Sequence, residues 1–376
     1  MPARALLRAI AEAAWECGDP GVQYDGAIQA WNPCPSAGRI AASNPCSEYL
    51  FLDDTACNLA SLNLLRFLRG DGTFDIAAYR RDIGILFRAM EAIVDSASYP
   101  TELIAARSRR FRPLGLGYSN LGALLMALGL PYDSDEARGW AAALTALLTG
   151  EAYRVSAEIA ALRGACEGFG PGFLAVLERH RASISGGPGD LVGAARTAWD
   201  EALALARRHG VRNAQATVLA PTGTISFMMD CDTTGIEPDM ALVKHKRLAG
   251  GGTLRLVNHV LPQALARLGY GAQSSADILR HVDEHETIDG APGLREEHRP
   301  VFHCAHEIPP EGHLAMMAAV QPLLSGGISK TVNLPADASA ADIERLYLSA
   351  WRHGLKSLAI YRASSKSASP LACLCE

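Results

Sequence analysis

The residues best suited to chemistry lie close together: Cys46 and Glu48 in the stretch Ser43-Asn44-Pro45-Cys46-Ser47-Glu48-Tyr49, and Cys57 at the head of Cys57-Asn58-Leu59-Ala60-Ser61-Leu62-Asn63-Leu64. Asn-Pro opens a turn, because the pyrrolidine ring fixes φ and biases Asn44 towards an extended conformation. Cys46 therefore belongs to a loop. Glu48 lies two residues on, so in an extended loop tip its carboxylate projects to the same side as the Cys46 sulfur, and one thiol and one carboxylate face one ligand. An arbitrary cysteine is more often a small buried hydrophobe than a reactive group. Here an acid, an amide and a proline-set turn crowd the sulfur. The chain also supplies a control, since Trp31-Asn32-Pro33-Cys34-Pro35-Ser36 repeats Asn-Pro-Cys with no acid two residues on. Cys34 is expected to be a structural loop cysteine and Cys46 the reactive one.

Several elements must position this stretch. Residues 3–17 place Leu6, Leu7, Ile10, Ala14 and Cys17 on one helical face that stops at Gly18-Asp19-Pro20-Gly21. Residues 58–67 cluster apolar groups as a buried strand would, ended by Gly70-Asp71-Gly72. A helix is predicted over 76–96, with Ile83, Leu86, Met90 and Ile93 on the buried stripe and Phe87 at its edge. Arg112-Pro113-Leu114-Gly115-Leu116-Gly117 lacks the Lys-Ser/Thr ending of a P-loop, which favours a close-packed backbone crossing. Ala/Leu-rich helices follow over 134–163 and 190–209, the first opening on Ser134-Asp135-Glu136 as suits a helix amino terminus.

Residues 214–219 form a short predicted strand that delivers Pro221-Thr222-Gly223-Thr224-Ile225-Ser226. Hydroxyls and free backbone N–H groups in a glycine-containing turn are what an anionic phosphate requires, although most Thr/Gly/Ser runs are plain turns. Glu237, in Thr233-Thr234-Gly235-Ile236-Glu237-Pro238, fits a structural turn before Pro238 better than a substrate contact. His281, Glu284 and His285 suggest a metal, but Asp283-x-His285 lacks the glycine that a cobalamin-binding histidine motif requires, Ile288 standing in its place. The end alternates strand 301–305, helix 311–323, strand 330–334, helix 340–353 and strand 358–361, an order that implies parallel strands.

With 376 residues, 49% of them hydrophobic and 20% charged, the chain has the balance of a soluble globular protein with a large core. A net charge of -5 offers no footprint for a nucleic-acid polymer. No apolar run approaches the ~20 residues of a membrane helix, and the amino terminus lacks a signal-peptide layout. A cytoplasmic location is expected. The nine cysteines are scattered, with no C-x-x-C pairs at zinc spacing, so neither a disulfide framework nor a metal is indicated, and any disulfide should be catalytic and transient.

The run N-P-C-S-E-Y followed by F-L-D-D-T-A-C-N-L-A-S-L-N-L strongly resembles the finger loop and next strand of ribonucleotide reductases, most closely the adenosylcobalamin-dependent class II enzymes. Collinear matches continue through Gly18-Asp19-Pro20-Gly21, Arg112 to Gly117, Ala220 to Ser226, Thr234 to Pro238 and Ile328-Ser329-Lys330-Thr331-Val332-Asn333-Leu334-Pro335, covering nearly the whole chain. The resemblance implies an α/β fold, an incomplete ten-stranded α/β barrel of the ribonucleotide reductase and glycyl-radical type with a central finger loop. Residues 1–363 would be the carboxyl-terminal part of the catalytic barrel, its amino-terminal strands and specificity region missing, and 364–376 a short tail.

By the same resemblance Cys46 becomes the thiyl radical that abstracts the ribose 3′ hydrogen, Glu48 is the general base for the 3′-hydroxyl, and Asn44 hydrogen-bonds the ribose. Ser43 and residues Pro221, Thr222, Gly223, Thr224, Ile225 and Ser226 would bind the ribonucleotide. That loop would accept a diphosphate or a triphosphate, and diphosphates are expected. Cys57 is one of the two reducing thiols, its partner lying on a missing strand. Cys373 and Cys375 resemble the tail pair that reduces the active-site disulfide, but their one-residue spacing is shorter than the family's pattern and favours a chance pair over a working shuttle.

Tyr361 stands alone where class I enzymes carry adjacent tyrosines, so adenosylcobalamin is the implied radical source. The implied partners are a thioredoxin-like reductant and either an amino-terminal half or a second copy of the chain. A glycyl-radical relative would need a glycine loop that the final residues do not hold. The alternatives are a non-catalytic barrel remnant, or one half of a split enzyme.

Overall fold

The computed structural model describes residues 1–247, 251–363, 365 and 371–372. Its strands are β1 (Val22–Gln23), β2 (Asn58–Asn63), β3 (Leu114–Ser119), β4 (Val243–Arg247), β5 (Thr253–Val257), β6 (Thr331–Leu334), β7 (Ser357–Arg362) and β8 (Leu371–Ala372). β2 runs parallel to β3 from Asn58↔Leu114 to Asn63↔Ser119, and β6 runs parallel to β7 from Thr331↔Ala359 to Leu334↔Arg362. Two single parallel bridges, Leu116↔Thr217 and Leu219↔Ile328, carry the first pair across to the second. The outcome is one parallel wall, with β1 antiparallel to β7 at its far end.

Parallel strands cannot be joined by tight hairpins and need crossovers. The helices Ile76–Ser96 and Glu102–Phe111 lie between β2 and β3, Asp135–Arg163 and Gly189–His209 precede residues 217–219, and Ala340–Arg352 joins β6 to β7. Local chemistry sets their starts: the Asp75, Thr101 and Ser134 side chains accept the N–H groups of Ala78, Ile104 and Ala137, and Ser339 with Asp342 makes a capping box. The two Ala/Leu-rich helices pack on each other with little clearance. A Cβ on Gly150 would come within 2.7 Å of the Trp199 ring, whose Nε1–H donates to the Ala146 carbonyl at 3.0 Å.

The glycine-rich run is indeed a backbone crossing. All of β3 is buried. A Cβ on Gly117 would collide with the Val218 carbonyl oxygen, and one on Gly115 would lie 2.9 Å from the Cys57 sulfur. Glycine is what lets β3 slide between β2 and residues 217–219. Behind the wall, Leu242, Val260, Leu261, Ile278, Val282 and Phe302 form a second apolar cluster against Ala123, Met126 and Ala127. β4, β5 and β8 make a separate antiparallel sheet beside it. Among the described residues, no helix is long and apolar enough to cross a membrane.

The structure differs from several sequence expectations. No strand forms over 301–305; the chain makes a 3-10 turn over Glu296–Phe302, where Pro300 lacks a ladder donor. β2 stops at Asn63, because the Asn63 side chain accepts the Leu65 N–H and starts a 3-10 turn instead. It is also only partly buried, with Leu59 52% exposed. In helix Ile76–Ser96 the buried stripe is rotated, so that Phe87 is fully enclosed and Ile93 is 47% exposed. In helix Ala3–Cys17, Ala11 and Ala14 are the buried positions while Leu6 and Cys17 face solvent. Residues 214–219 lie buried in the wall and bond to their neighbours, as in Leu114 N–H to the Gln215 carbonyl at 2.8 Å and Leu116 N–H to the Ala216 carbonyl at 3.0 Å, but they register as single bridges at Thr217 and Leu219 and not as a continuous strand.

Gly117→Ala is expected to destabilise the fold by about 1–3 kcal/mol through overpacking. Gly26→Ala, in helix Asp25–Ala30 with nothing near its would-be Cβ, should be neutral or stabilising by up to about 1 kcal/mol. Urea denaturation of both variants checks the contrast.

Candidate active site

The tip of the Cys46 loop is a turn rather than an extended segment. Ser47 N–H donates to the Asn44 carbonyl at 3.0 Å, and Ser47 takes a left-handed φ of 65°. Two bonds close the turn from below: Tyr49 N–H donates to Asn44 Oδ1 at 2.9 Å, and Asn44 N–H to the Tyr49 carbonyl at 3.3 Å. The alternation rule therefore does not apply between residues 46 and 48. Glu48 is brought near Cys46 by chain reversal instead. Cys46 is exposed at the tip, whereas Glu48 is 2% exposed and its Oε2 has no hydrogen-bond partner among the described residues.

Electrostatics link this acid to two thiols. Partial burial, then the Glu48 charge, push the Cys46 thiol above its ordinary value. Burial pushes the half-buried Cys57 higher still, again with Glu48 contributing. Both sulfurs are therefore neutral S–H groups at neutral pH. Cys57 sits at the start of β2 against Gly115, its Sγ directed at the Asn58 carbonyl at 3.3 Å. Cys34, by contrast, is fully buried, its backbone N–H held by Asn32 Oδ1, and its thiol is pushed up to about 12 by burial. Asn44 spends its Oδ1 on the turn, while its Nδ2 has no partner among the described residues. Ser43, beside it, donates to the Asn44 carbonyl at 2.7 Å and accepts from Gln23.

The turn hangs on a ledge that sequence reasoning missed. Gly327 N–H donates to the Glu48 carbonyl at 2.7 Å, and a Cβ on Gly327 would lie 2.5 Å from the Ser47 carbonyl oxygen. Gly326 is as crowded, 3.0 Å from the Glu48 oxygen and 2.6 Å from Val218 Cγ1 by the same measure. The adjacent glycines just ahead of Ile328 were the available signal.

At the other end of the wall, Pro221 leads into Thr222, which has a left-handed φ of 55° and precedes a short helix, Gly223–Met228. Gly223, Thr224 and Ile225 are exposed, and first-turn amides have no intrahelical acceptor. The Thr222 and Ser226 hydroxyls do not face outward as anticipated. Both are buried in a ring with Ser119, at Oγ separations of 2.9, 2.9 and 3.0 Å, and Gly235 N–H donates to Thr222 Oγ1 at 2.7 Å. They shape the loop, leaving its first-turn residues and Thr224 on the exposed side. Ser119, at the end of β3, also passed unnoticed in the sequence.

Glu237 is structural, its carboxylate paired with buried Lys330 and accepting the Thr331 N–H at 2.8 Å. No cluster of three or more His, Cys, Asp or Glu suited to a metal occurs among the described residues. Cys373 and Cys375 lie outside the described residues.

Comparison with known proteins shows the family to which the chain belongs. Residues 1–361 match the family model of the ribonucleotide reductase barrel domain. Vitamin B12-dependent ribonucleotide reductases from Rhodopirellula baltica and Streptomyces coelicolor are 56% and 48% identical, each over 98% of this chain and over 37% and 40% of their own length. A vitamin B12-dependent ribonucleoside-diphosphate reductase from Mycobacterium tuberculosis is 35% identical over 97% of this chain and 48% of its own. The solved class Id ribonucleotide reductase alpha subunit of Actinobacillus ureae superposes with a TM-score of 0.71 over 96% of this chain and 61% of that one, at 21% identity, so it speaks for the fold. The chain belongs to the ribonucleotide reductase family. It spans about two fifths of the length of the first two relatives.

Replacing Glu48 by glutamine removes the charge that raises the Cys46 thiol. Alkylation of Cys46 by iodoacetamide at pH 8 should accelerate about threefold, because loss of the neighbouring negative charge favours the thiolate. Buried Cys34 and Cys166 should stay slow. Peptide mass spectrometry resolves each site, and an unchanged Cys46 rate would contradict the coupling.

Proposed function

We propose that this chain carries the radical chemistry of an adenosylcobalamin-dependent ribonucleotide reductase, converting ribonucleotides to 2′-deoxyribonucleotides for DNA synthesis. The observation that carries the reading is the Glu48 carboxylate, buried with an unpartnered oxygen between influences on two neutral thiols. Hydrogen-atom transfer to and from sulfur needs S–H and not thiolate. A thiol held protonated suits radical chemistry as poorly as it suits a nucleophile only if no radical source is near; with one near, it is a ready hydrogen donor.

The residues fit such a source. Cys46 is exposed at its tip, and Tyr361 stands between Ile360 and Arg362 without a second tyrosine to relay an electron from another subunit. Homolysis of the cobalt–carbon bond is the chemistry that adenosylcobalamin supplies when bound. A thiyl radical on Cys46 then abstracts the 3′ hydrogen of the ribose. Glu48 accepts the 3′-hydroxyl proton, the reducing thiols supply the proton with which the 2′ hydroxyl leaves as water, and the Asn44 Nδ2 amide steadies the hydroxyls. Cys57 and a second thiol provide the two electrons and become a disulfide.

The amides of Gly223, Thr224 and Ile225 with the Thr224 hydroxyl are assigned to the substrate phosphates, framed by Pro221, Thr222 and Ser226. The name of the Mycobacterium tuberculosis relative supports diphosphates as substrates. The parallel wall is assigned to one side of a ten-stranded barrel. Its remaining strands and the partner of Cys57 would come from an amino-terminal portion, and a thioredoxin-like protein would reduce the disulfide in the cytoplasm.

Co-expression with candidate upstream portions, followed by an assay of cobalamin-dependent deoxynucleotide formation, tests this directly. Cys46→Ser should abolish the reaction in the assembled enzyme, and Cys57→Ser should allow at most a single turnover with external thiol. Normal yield from Cys46→Ser would sink the assignment.

A further inference from the structure

Lys356 is a buried lysine that the reaction above does not use. It is 2% exposed and immediately precedes β7. Its Nζ donates to the Gly326 carbonyl at 2.6 Å and to the Ser325 carbonyl at 3.1 Å, and no carboxylate pairs with it among the described residues. Burial and the nearby Arg179 lower its ammonium to about 7. A buried amine with only carbonyls for company is costly, since desolvation is not offset by an opposite charge. Neutral side chains would fill the volume at less expense, so the reason for a donor here lies in what the carbonyls do.

The Gly326 carbonyl and the Gly327 N–H belong to one planar peptide group. Lys356 holds its oxygen, and its N–H donates to the Glu48 carbonyl at 2.7 Å. Hydrogen bonds in such a chain polarise one another, so fixing the oxygen both orients and strengthens the N–H. Gly326 N–H, bonded to the Thr217 carbonyl at 2.8 Å, and Leu219 N–H, bonded to the Gly327 carbonyl at 3.0 Å, pin the ledge to the wall on either side. The orientation of the linking peptide is then set at the Gly326 oxygen, where Lys356 makes the short bond at 2.6 Å and Gln321 Nε2 donates beside it at the longer distance of 3.3 Å. Any rotation of that plane would move the Glu48 backbone, and with it a carboxylate that no hydrogen bond to Oε2 holds in place.

We infer that Lys356 is a positioning residue for the Cys46–Glu48 pair, acting through the Gly326–Gly327 peptide to hold the acid beside the thiol. The functional consequence rests on the reductase reading; the geometric one does not. The test is a double-mutant cycle on the full chain, reading iodoacetamide alkylation of Cys46. In the parent chain Glu48→Gln should accelerate the reaction about threefold, because the like charge beside the sulfur is gone. In the Lys356→Met background the same substitution should have an effect below about 1.5-fold, because the charge no longer sits beside the sulfur.

Should the methionine variant not fold, Lys356→Gln is measured in the same way; its shorter amide cannot reach both carbonyls, and the effect should again shrink. A full threefold effect retained in either folded variant overturns the inference, whatever the loss of stability, as does the absence of any acceleration in the parent chain. In the assembled reductase Lys356→Met should lower kcat at least tenfold while KM for the nucleotide stays within twofold. An assembled wild-type enzyme that reduces no nucleotide would refute the reductase reading, while the alkylation cycle would still decide the role of Lys356.

Discussion

A single backbone hydrogen bond, from Gly327 N–H to the Glu48 carbonyl, is the constraint on which the site depends. It joins the one irregular turn that carries reactive groups to the regular wall behind it. Contact this close is possible because neither Gly326 nor Gly327 has a side chain, and a Cβ at either position would run into the backbone of the turn. The turn closes on itself through Asn44 and Tyr49. Its internal bonds fix its shape, and the ledge fixes its place.

The two ends of the candidate site use opposite chemistry. Around Cys46, an acid with an unpartnered oxygen and two protonated thiols leave reactive capacity unspent. Around Thr222, hydroxyls that look suited to a ligand are spent on one another and on Gly235. A buried hydroxyl has one proton to give, so three of them within about 3 Å can satisfy one another in a closed ring. Backbone amides at the start of the following helix are what that ring leaves exposed. Fixed frame and available donors are thus separate groups of atoms in the same six residues.

Much of this was legible locally. The acid two residues after Cys46 separated it from Cys34, and the structure leaves one exposed beside Glu48 and the other sealed in the core. The boundaries of helix Ile76–Ser96 and the parallel pairing of β6 with β7 follow from apolar periodicity and from strand and helix alternation. What was not legible depends on long-range pairing. Nothing near Lys356 in the chain says that it will meet Gly326, and nothing near Ser119 points to Thr222. Local misreadings have local causes: Pro300 denies a strand its donor, Asn63 caps a 3-10 turn, and Ser47 turns the loop tip that alternation would have left extended.

The hydroxyl ring has an energetic corollary. Ser119, Thr222 and Ser226 come from two separate stretches of chain, yet each hydroxyl bonds both of the others, with the Thr233 carbonyl and the Gly235 N–H completing the set. Changing one strands its neighbours in a dry interior, where an unmatched hydroxyl is costly. The three hydroxyls are therefore energetically coupled across two stretches of chain, while the solvent-facing Thr224 beside them stands outside that network.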